Sequence, residues 1–273
     1  MTLHQLPIAN KERVIIVGAG IGGLAASLRL SHMGYNVKVF ETAETGGGKL
    51  RTITGQTGEI DIGPTVLTLL PVFQNLFRSV GEDIFDHIEL VRQKIIARHW
   101  WPDGETLDLY DDFESSRDAI LNFSGSDSAK EFEKYFYDTR DLFSCFDIPV
   151  MQNPNPSMLD MNRAVLNNPK ILFKMHPLRT LSSLLNYKFR DTRLQQLFGR
   201  YATYVGGSPL ESPALLSLIW QAEARGVWSV KGGMKKLARV LERLAADRGA
   251  SFHYNTEVKN LNIKHNRLAS VTD

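Results

Sequence analysis

The chain has 273 residues, with 43% hydrophobic and 23% charged side chains and a net charge of +2. That is an ordinary composition for a globular protein with one or two cored domains, and it offers no charge argument for a nucleic-acid partner. One cysteine, Cys145, excludes an internal disulfide framework and a cysteine metal cluster.

From the amino terminus, MTLHQLPIANKER lacks the apolar core of a secretory leader, which predicts a cytoplasmic protein. Residues 14–41 then read VIIVGAGIGGLAASLRLSHMGYNVKVFE. The β-branched run 14–17 predicts a buried parallel strand, and Leu24, Leu28 and Leu30 fall at helical spacing after it. A second strand over 36–40 ends in Glu41. Between the first strand and the helix stand Gly18, Gly20 and Gly23, spaced G-x-G-x-x-G. In that setting the first glycine makes a tight turn, the second lets the backbone approach a pyrophosphate, and the third lets helix and strand pack closely. The helix N-terminus directs free N–H groups at phosphate. Glu41, eighteen residues after Gly23, is placed to accept hydrogen bonds from an adenosine ribose. The unit predicts a dinucleotide site and by itself does not separate NAD from FAD.

Next comes TAETGGGKLRT, where Gly46, Gly47 and Gly48 predict a flexible loop of close approach, with Lys49 and Arg51 suited to an anionic or ribose-lined part of the cofactor. A sharp turn is expected at Asp61-Ile-Gly-Pro64, and a helix over 72–80. Residues 94–110 read as a hairpin around Pro102-Asp103-Gly104, 114–145 as a helix, and 157–205 as mainly helical. Trp100 and Trp101 either line a pocket or join the core. Charge is segregated. Residues 103–147 carry thirteen acids against four bases, whereas 150–190 carry six bases against Asp160 alone. Either these are two solvated faces that differ, or 150–190, rich in Met and Leu, lies on anionic lipid. Near the end, KGGMKKLARVLERLAADRGA reads as a capped amphipathic helix, with Met234, Leu237, Val240, Leu241 and Leu244 at helical spacing and Gly249 at its stop, 251–258 alternates like a strand, and 261–271 reads as a hairpin through His265-Asn266.

Four segments, VIIVGAGIGGLAASLRL with Glu41, GGGKLRT, DIGPTVLT and GVWSVKGGMKKLARVLERLA, resemble those of the carotenoid (phytoene-type) desaturases of the flavin amine-oxidase superfamily. RHWWPDGETLDL and LFGRYATYVGGSPLESPALLSLIW are similar to a bacterial subgroup, the 1-hydroxycarotenoid 3,4-desaturases, also called hydroxyneurosporene or methoxyneurosporene dehydrogenases. The resemblance implies an α/β fold: a Rossmann-like FAD-binding domain of the GR2 type, in parts 10–70 and 229–273, with an inserted α+β substrate and membrane-contact domain at 71–228. Family members are much longer, so the resemblance also implies an amino-terminal half that alone does not desaturate carotenoid. Lys49 stands where much of the superfamily has Arg, keeping the charge and losing the planar fork.

By the same resemblance, Gly18, Gly20 and Gly23 hold the FAD pyrophosphate and Glu41 the adenosine ribose. Gly47, Gly48 and Lys49 lie beside the ribityl and flavin end, Val258 meets adenine through its backbone, and Asp61 to Thr65 sit near the flavin. The implied reaction removes two hydrogens from a CH2–CH2 unit of an acyclic 1-hydroxy or methoxy carotenoid. No catalytic acid or base is assigned; His99, His176 and Asp61 are polar groups of structural reading first. The implied partners are the carotenoid and a membrane surface, met through about 150–190 at the inner face of the cell membrane. The rivals are another flavin oxidase of the superfamily, acting on porphyrinogens or amines, a non-catalytic protein like the GDP-dissociation inhibitors, and an inactive fragment.

Overall fold

The computed structural model describes residues 12–56, 58–264 and 267–272, so residues 1–11 and the turn at His265-Asn266 lie outside the described residues. The chain divides into two compact units, one running up to Val91 and resuming at Trp228, the other spanning Arg92–Val227.

The first unit is built on a parallel sheet. Strand β1, Arg13–Val17, pairs in parallel with β2, Asn36–Phe40, in the register Val14 to Val37 and Ile16 to Val39. Helix α1, Ile21–His32, connects them and buries Leu24, Ser27, Leu28 and Ser31. That i, i+3, i+4, i+7 spacing forms one stripe toward the core. Two short strands follow, β3, Thr52–Gly55, and β4, Gly58–Asp61, paired antiparallel. Helix α2 covers Leu70–Arg78, two residues earlier than the pattern suggests, because Pro71 fits the first turn and Ser79 already caps the end. The chain leaves along β5, Leu90–Arg92.

In the second unit, β6, Ile95–Trp100, and β7, Thr106–Tyr110, form the expected hairpin. Helix α3, Phe113–Phe146, starts at Asp112, whose carboxylate accepts from Ser115 N at 2.8 Å, and is broken at Gly125, where φ is 86°. The shorter helices α4, Met158–Asn167, α5, Ile171–Met175, α6, Leu181–Lys188, α7, Thr192–Gly199, and α8, Gln221–Ala224, follow, with 3-10 turns at Arg200–Val205 and Ala214–Trp220. The core is aromatic: Phe132, Tyr135, Phe198 and Trp220 are buried against one another, and the Trp220 indole donates to Thr139 Oγ1 at 2.7 Å. Trp101 bonds to Gln196 at 3.1 Å, and Trp100 is exposed.

The segregated charges meet in space. Lys174 bonds to Asp141 at 2.7 Å and Asp138 at 3.1 Å, Lys188 to Asp138 at 2.6 Å, and Arg190 to Asp127 and Glu131. Three of the six bases of 150–190 therefore tie their segment to α3. They are neither a free basic face nor one plain solvated surface.

Back in the first unit, β8, Trp228–Val230, pairs with β5, and Leu67 exchanges backbone bonds with Trp228. Helix α9, Lys235–Ala246, buries Leu237, Val240, Leu241 and Leu244 and packs on α1. Strand β9 joins the sheet beside β2, giving the order β1-β2-β9, but covers only Ser251–His253. The expected strand to 258 ends early because Asn255 turns left-handed at φ 52°, which sends the N–H groups of Asn255 and Thr256 to Ala43 O and Glu41 O. Strands β10, Asn260–Lys264, and β11, Arg267–Thr272, form the last hairpin. Among the described residues no helix is long and apolar enough to cross a membrane.

Glu223, only 5% exposed, is the most demanding charge of the second unit. Its carboxylate accepts from Arg200 at 2.6 Å, from the Tyr201 hydroxyl at 2.7 Å, and from the Tyr204 hydroxyl. Breaking a buried pair from one side costs about 3–5 kcal/mol because the remaining charge is stranded. Glu223→Ala is expected to lower the melting temperature by about 10 °C. Glu223→Gln, which keeps an acceptor, should lose less; thermal denaturation followed by circular dichroism measures both.

Candidate dinucleotide site

At the end of β1 the backbone makes the first loop of the site. Gly18 N donates to Phe40 O at 2.7 Å, and Leu24 N is the first helix amide to bond back, to Gly20 O at 2.9 Å. The amides of Ile21, Gly22 and Gly23 open the helix, where no intrahelical acceptor exists. Gly20, the N-cap residue, supplies no side-chain cap either. The result is a cluster of donors at the positive end of the α1 dipole. Gly23 is required by contact: a Cβ there would stand 2.0 Å from Gly18 O.

The glycine triplet at 46–48 docks on this loop. Gly47 N donates to Ala19 O at 2.8 Å, and Gly20 and Gly47 form a parallel bridge. Contrary to the expectation of a flexible loop, Gly46 and Gly47 are buried. A Cβ on Gly46 would crowd Glu242 Oε2 and the Tyr254 hydroxyl, both at 3.2 Å, and one on Gly47 would meet Leu50 O at 2.9 Å and Ala238 at 3.4 Å. A Cβ on Gly48 would stand 3.0 Å from Gly20 Cα. The loop is thus packed between the first loop and α9, and only Gly48 and Lys49 emerge from it as exposed residues.

Glu41 follows directly on β2 with both carboxylate oxygens engaged: Oε2 accepts from Ala19 N at 2.6 Å and Oε1 from Ala43 N at 2.9 Å. A carboxylate has about four acceptor positions, so Glu41 is oriented by these two bonds with capacity left for sugar hydroxyls. Its own backbone is held by His253 O and Thr256 N, each at 2.9 Å. Val258 lies two residues beyond Thr256, half-buried and outside any strand.

Asp61 closes the group from another direction. Its Oδ2 accepts from Met234 N, the N-cap residue of α9, at 2.9 Å, while Oδ1 is buried without a partner. Gly63 packs so tightly on the second loop that a Cβ there would meet Lys49 O at 1.9 Å. Of the three polar groups singled out in the sequence, only Asp61 belongs to this cluster. His99 and His176 lie in the second unit, where burial holds each imidazole below its ordinary pKa, helped by Arg200 for His99 and by Lys188 for His176. Sequence reasoning missed Ala19, Ala238, Glu242, Tyr254 and Met234. The signal available for Met234 was Gly232-Gly233 before it, both of which take left-handed φ. Burial, with Glu242 alongside, raises the Tyr254 phenol above its ordinary pKa, so it stays a neutral hydroxyl.

Two glycine loops laid backbone to backbone, a helix start with unspent donors and an oriented carboxylate fit a dinucleotide with a pyrophosphate and a ribose. The family model for flavin-containing amine oxidoreductases matches residues 21–272. The chain belongs to that family. Hydroxyneurosporene desaturase from Cereibacter sphaeroides is 44% identical over 246 residues, covering 90% of this chain and 50% of that protein. Its namesake from Rhodobacter capsulatus is 41% identical over 262 residues, covering 96% of this chain and 53% of that one. An oxidoreductase structure from Methanosarcina mazei aligns over 95% of this chain and 55% of its own, with a TM-score of 0.64 at 18% identity, a likeness of fold. The chain spans about half the length of the curated relatives it matches. The dinucleotide of the family is FAD, and the residues present fit it.

A Cβ at Gly20 would find its nearest neighbour, Gly48 Cα, 4.0 Å away, so the protein alone tolerates a methyl group there. Gly20→Ala is therefore expected to melt within a few degrees of the parent while losing about 100-fold or more in FAD affinity, because the methyl fills the space between donors and phosphate. Flavin fluorescence titration beside thermal denaturation separates this from Gly23→Ala, which should fail to fold.

Proposed function

We propose that this chain is the FAD-holding part of an oxidoreductase of carotenoid biosynthesis, one that dehydrogenates a CH2–CH2 unit of an acyclic 1-hydroxy or methoxy carotenoid. The observation that carries the reading is the double-glycine cradle in a chain 44% identical, over 90% of its length, to a hydroxyneurosporene desaturase. In this reading Gly18, Gly20 and Gly23 and the α1 donors hold the pyrophosphate, and Glu41 holds the ribose. Gly47, Gly48 and Lys49 line the ribityl side, with the Lys49 ammonium free to reach an anionic group. Val258 edges the adenine. The parts 10–70 and 229–273 serve the cofactor, and 71–228 serves the substrate and the membrane.

FAD when bound supplies two-electron oxidation, and loss of hydride beside a polyene leaves a delocalised charge that makes the neighbouring C–H acidic. A dedicated base is therefore not assigned. Asp61 acts on the protein itself, fixing the start of α9 against the second loop. The carotenoid is a long, almost wholly apolar polyene of the bilayer interior, so the enzyme works as a peripheral protein at the cytoplasmic face of the cell membrane, meeting it through the region of about 150–190.

The test supplies the portion of the relatives that this chain does not span. Residues 1–273 are expected to bind FAD and leave a hydroxylated acyclic carotenoid in liposomes unchanged. Co-expressed with the carboxy-terminal half of the Cereibacter sphaeroides relative, they should shift its absorption to the red as the polyene lengthens. A flavin-loaded pair that oxidises amines and leaves the carotenoid spectrum untouched would overturn the reading.

A further inference from the structure

Between Ile148 and Leu178 the second unit leaves a run of large apolar side chains unpacked. Leu178 is 99% exposed, Phe173 81%, Leu166 79% and Leu159 77%, with Ile148 and Met158 close behind. Single exposed leucines are commonplace on protein surfaces, but a concentration of them marks a surface made to be covered. Helix α4 has no buried residue at all. Leu159, Arg163 and Leu166 stand at i, i+4 and i+7, one outward face. Helix α5 buries Ile171 and Met175 and turns Leu172 and Phe173 outward. A left-handed His176, at φ 46°, then redirects the chain to Leu178.

These elements are firmly seated on their inner side. Cys145 Sγ lies 3.7 Å from Ala164 O, and Lys174 is bonded to Asp138 and Asp141, so α4 and α5 rest on neighbouring turns of α3. The backbone turn that joins them is closed by bonds from Ile171 N to Asn168 O and from Leu172 N to Pro169 O.

The charges decide what kind of surface covers this face. Residues 161–190 contain no Asp or Glu. Asp160 is turned into the capping box of α4, where the Ser157 hydroxyl and amide bond to it at 2.6 and 3.0 Å. Lys174, Lys188 and Arg190 are spent on α3. Arg163 and Lys170 are left exposed among the apolar side chains. An apolar face bordered by cations complements acyl chains bordered by phosphates. A second copy of the same face, related by a two-fold axis, would set these cations against themselves.

We propose that α4, α5 and the turn to Leu178 form a bilayer-inserting face: Leu159, Leu166, Phe173 and Leu178 enter the acyl boundary, and Arg163 and Lys170 rest at the lipid phosphates. This rests on the membrane reading above and names the force behind it. Apolar burial holds the protein down more than net positive charge does, because three of the six bases of 150–190 are already paired with acids of α3.

Residues 1–273 are mixed with vesicles of phosphatidylcholine alone, or with added phosphatidylglycerol, and floated at low salt and at about 1 M salt, where screening leaves surface attraction a reach of about 3 Å. The wild type should float with both vesicles and stay bound at high salt. The triple variant Leu166→Asp, Phe173→Asp, Leu178→Asp should bind about 100-fold or more weakly while keeping its melting temperature and FAD affinity. Lys170→Glu should change binding less than tenfold. Failure of the wild type to float, release at high salt, or equal binding by the triple variant would overturn the proposal. So would a wild-type dimer in analytical ultracentrifugation that the triple variant makes monomeric. FAD titration and the co-expression assay, run in detergent micelles, test the catalytic reading separately from docking.

Discussion

Close approach of one stretch of backbone to another is the constraint on which the first unit depends. It occurs where α1 lies on the β1 turn, at Gly23 over Gly18 O, where the two loops meet, at Gly48 beside Gly20, and where the DIGP turn lies on the second loop, at Gly63 over Lys49 O. Gly23 and Gly63 exclude a Cβ outright, and one on Gly48 would be crowded at 3.0 Å. Their joint effect is to bring amides from separate segments into one concave surface with no side chain in between. A phosphate can reach backbone donors only on such a surface.

Polar bonds of long sequence span then fix what the glycines permit. Glu41 spans 22 residues to Ala19, and Asp61 spans 173 residues to Met234. The first aligns the sugar-binding carboxylate with the loop beside it. The second fastens α9, and with it Ala238 and Glu242, behind the second loop. The returning segment from Trp228 therefore contributes to the cradle from behind, by wedging it, and through the sheet by β9 beside β2. An unpartnered Asp61 Oδ1 in the same place is a cost of roughly 1–3 kcal/mol that the fold carries at the site.

What the sequence made legible was local. A strand, three spaced glycines, a helical stripe and a terminal acid are all signals within thirty residues, and β1, α1, β2 and Glu41 follow them. The long helix, the hairpin at 94–110 and the amphipathic helix before Gly249 were legible for the same reason. Periodicity carries no information about partners in space, and the shortfalls follow from that. Three consecutive glycines read as a flexible loop, whereas Ala19, Ala238 and Tyr254 make it a packed one. Alternation over 251–258 read as one strand, but Asn255 turns the chain toward Glu41 and Ala43. The segregation of acids from bases suggested two solvated faces that differ or a basic segment lying on lipid, whereas the ion pairs join positions 33 to 63 apart in sequence.

The same ion pairs explain why the second unit presents the surface it does. A long helix with an acidic stretch needs cations to pack its shorter neighbours against it, and Lys174, Lys188 and Arg190 supply them. Glu223 draws Arg200 and two tyrosines inward in the same way. Once these charges are used for cohesion, the outward chemistry of α4 and α5 is dominated by aliphatic and aromatic side chains. Ion pairs of this kind, from the exposed Arg190 to the buried Glu223, add little net stability. Their effect here is positional: Lys174 on α5 and Lys188 on α6 hold two helices, too short to be stable alone, against α3, and α5 keeps Leu172 and Phe173 outward. Half of the bases in 150–190 thus serve cohesion with α3, while Leu159, Leu166, Phe173 and Leu178 of the same segment face outward.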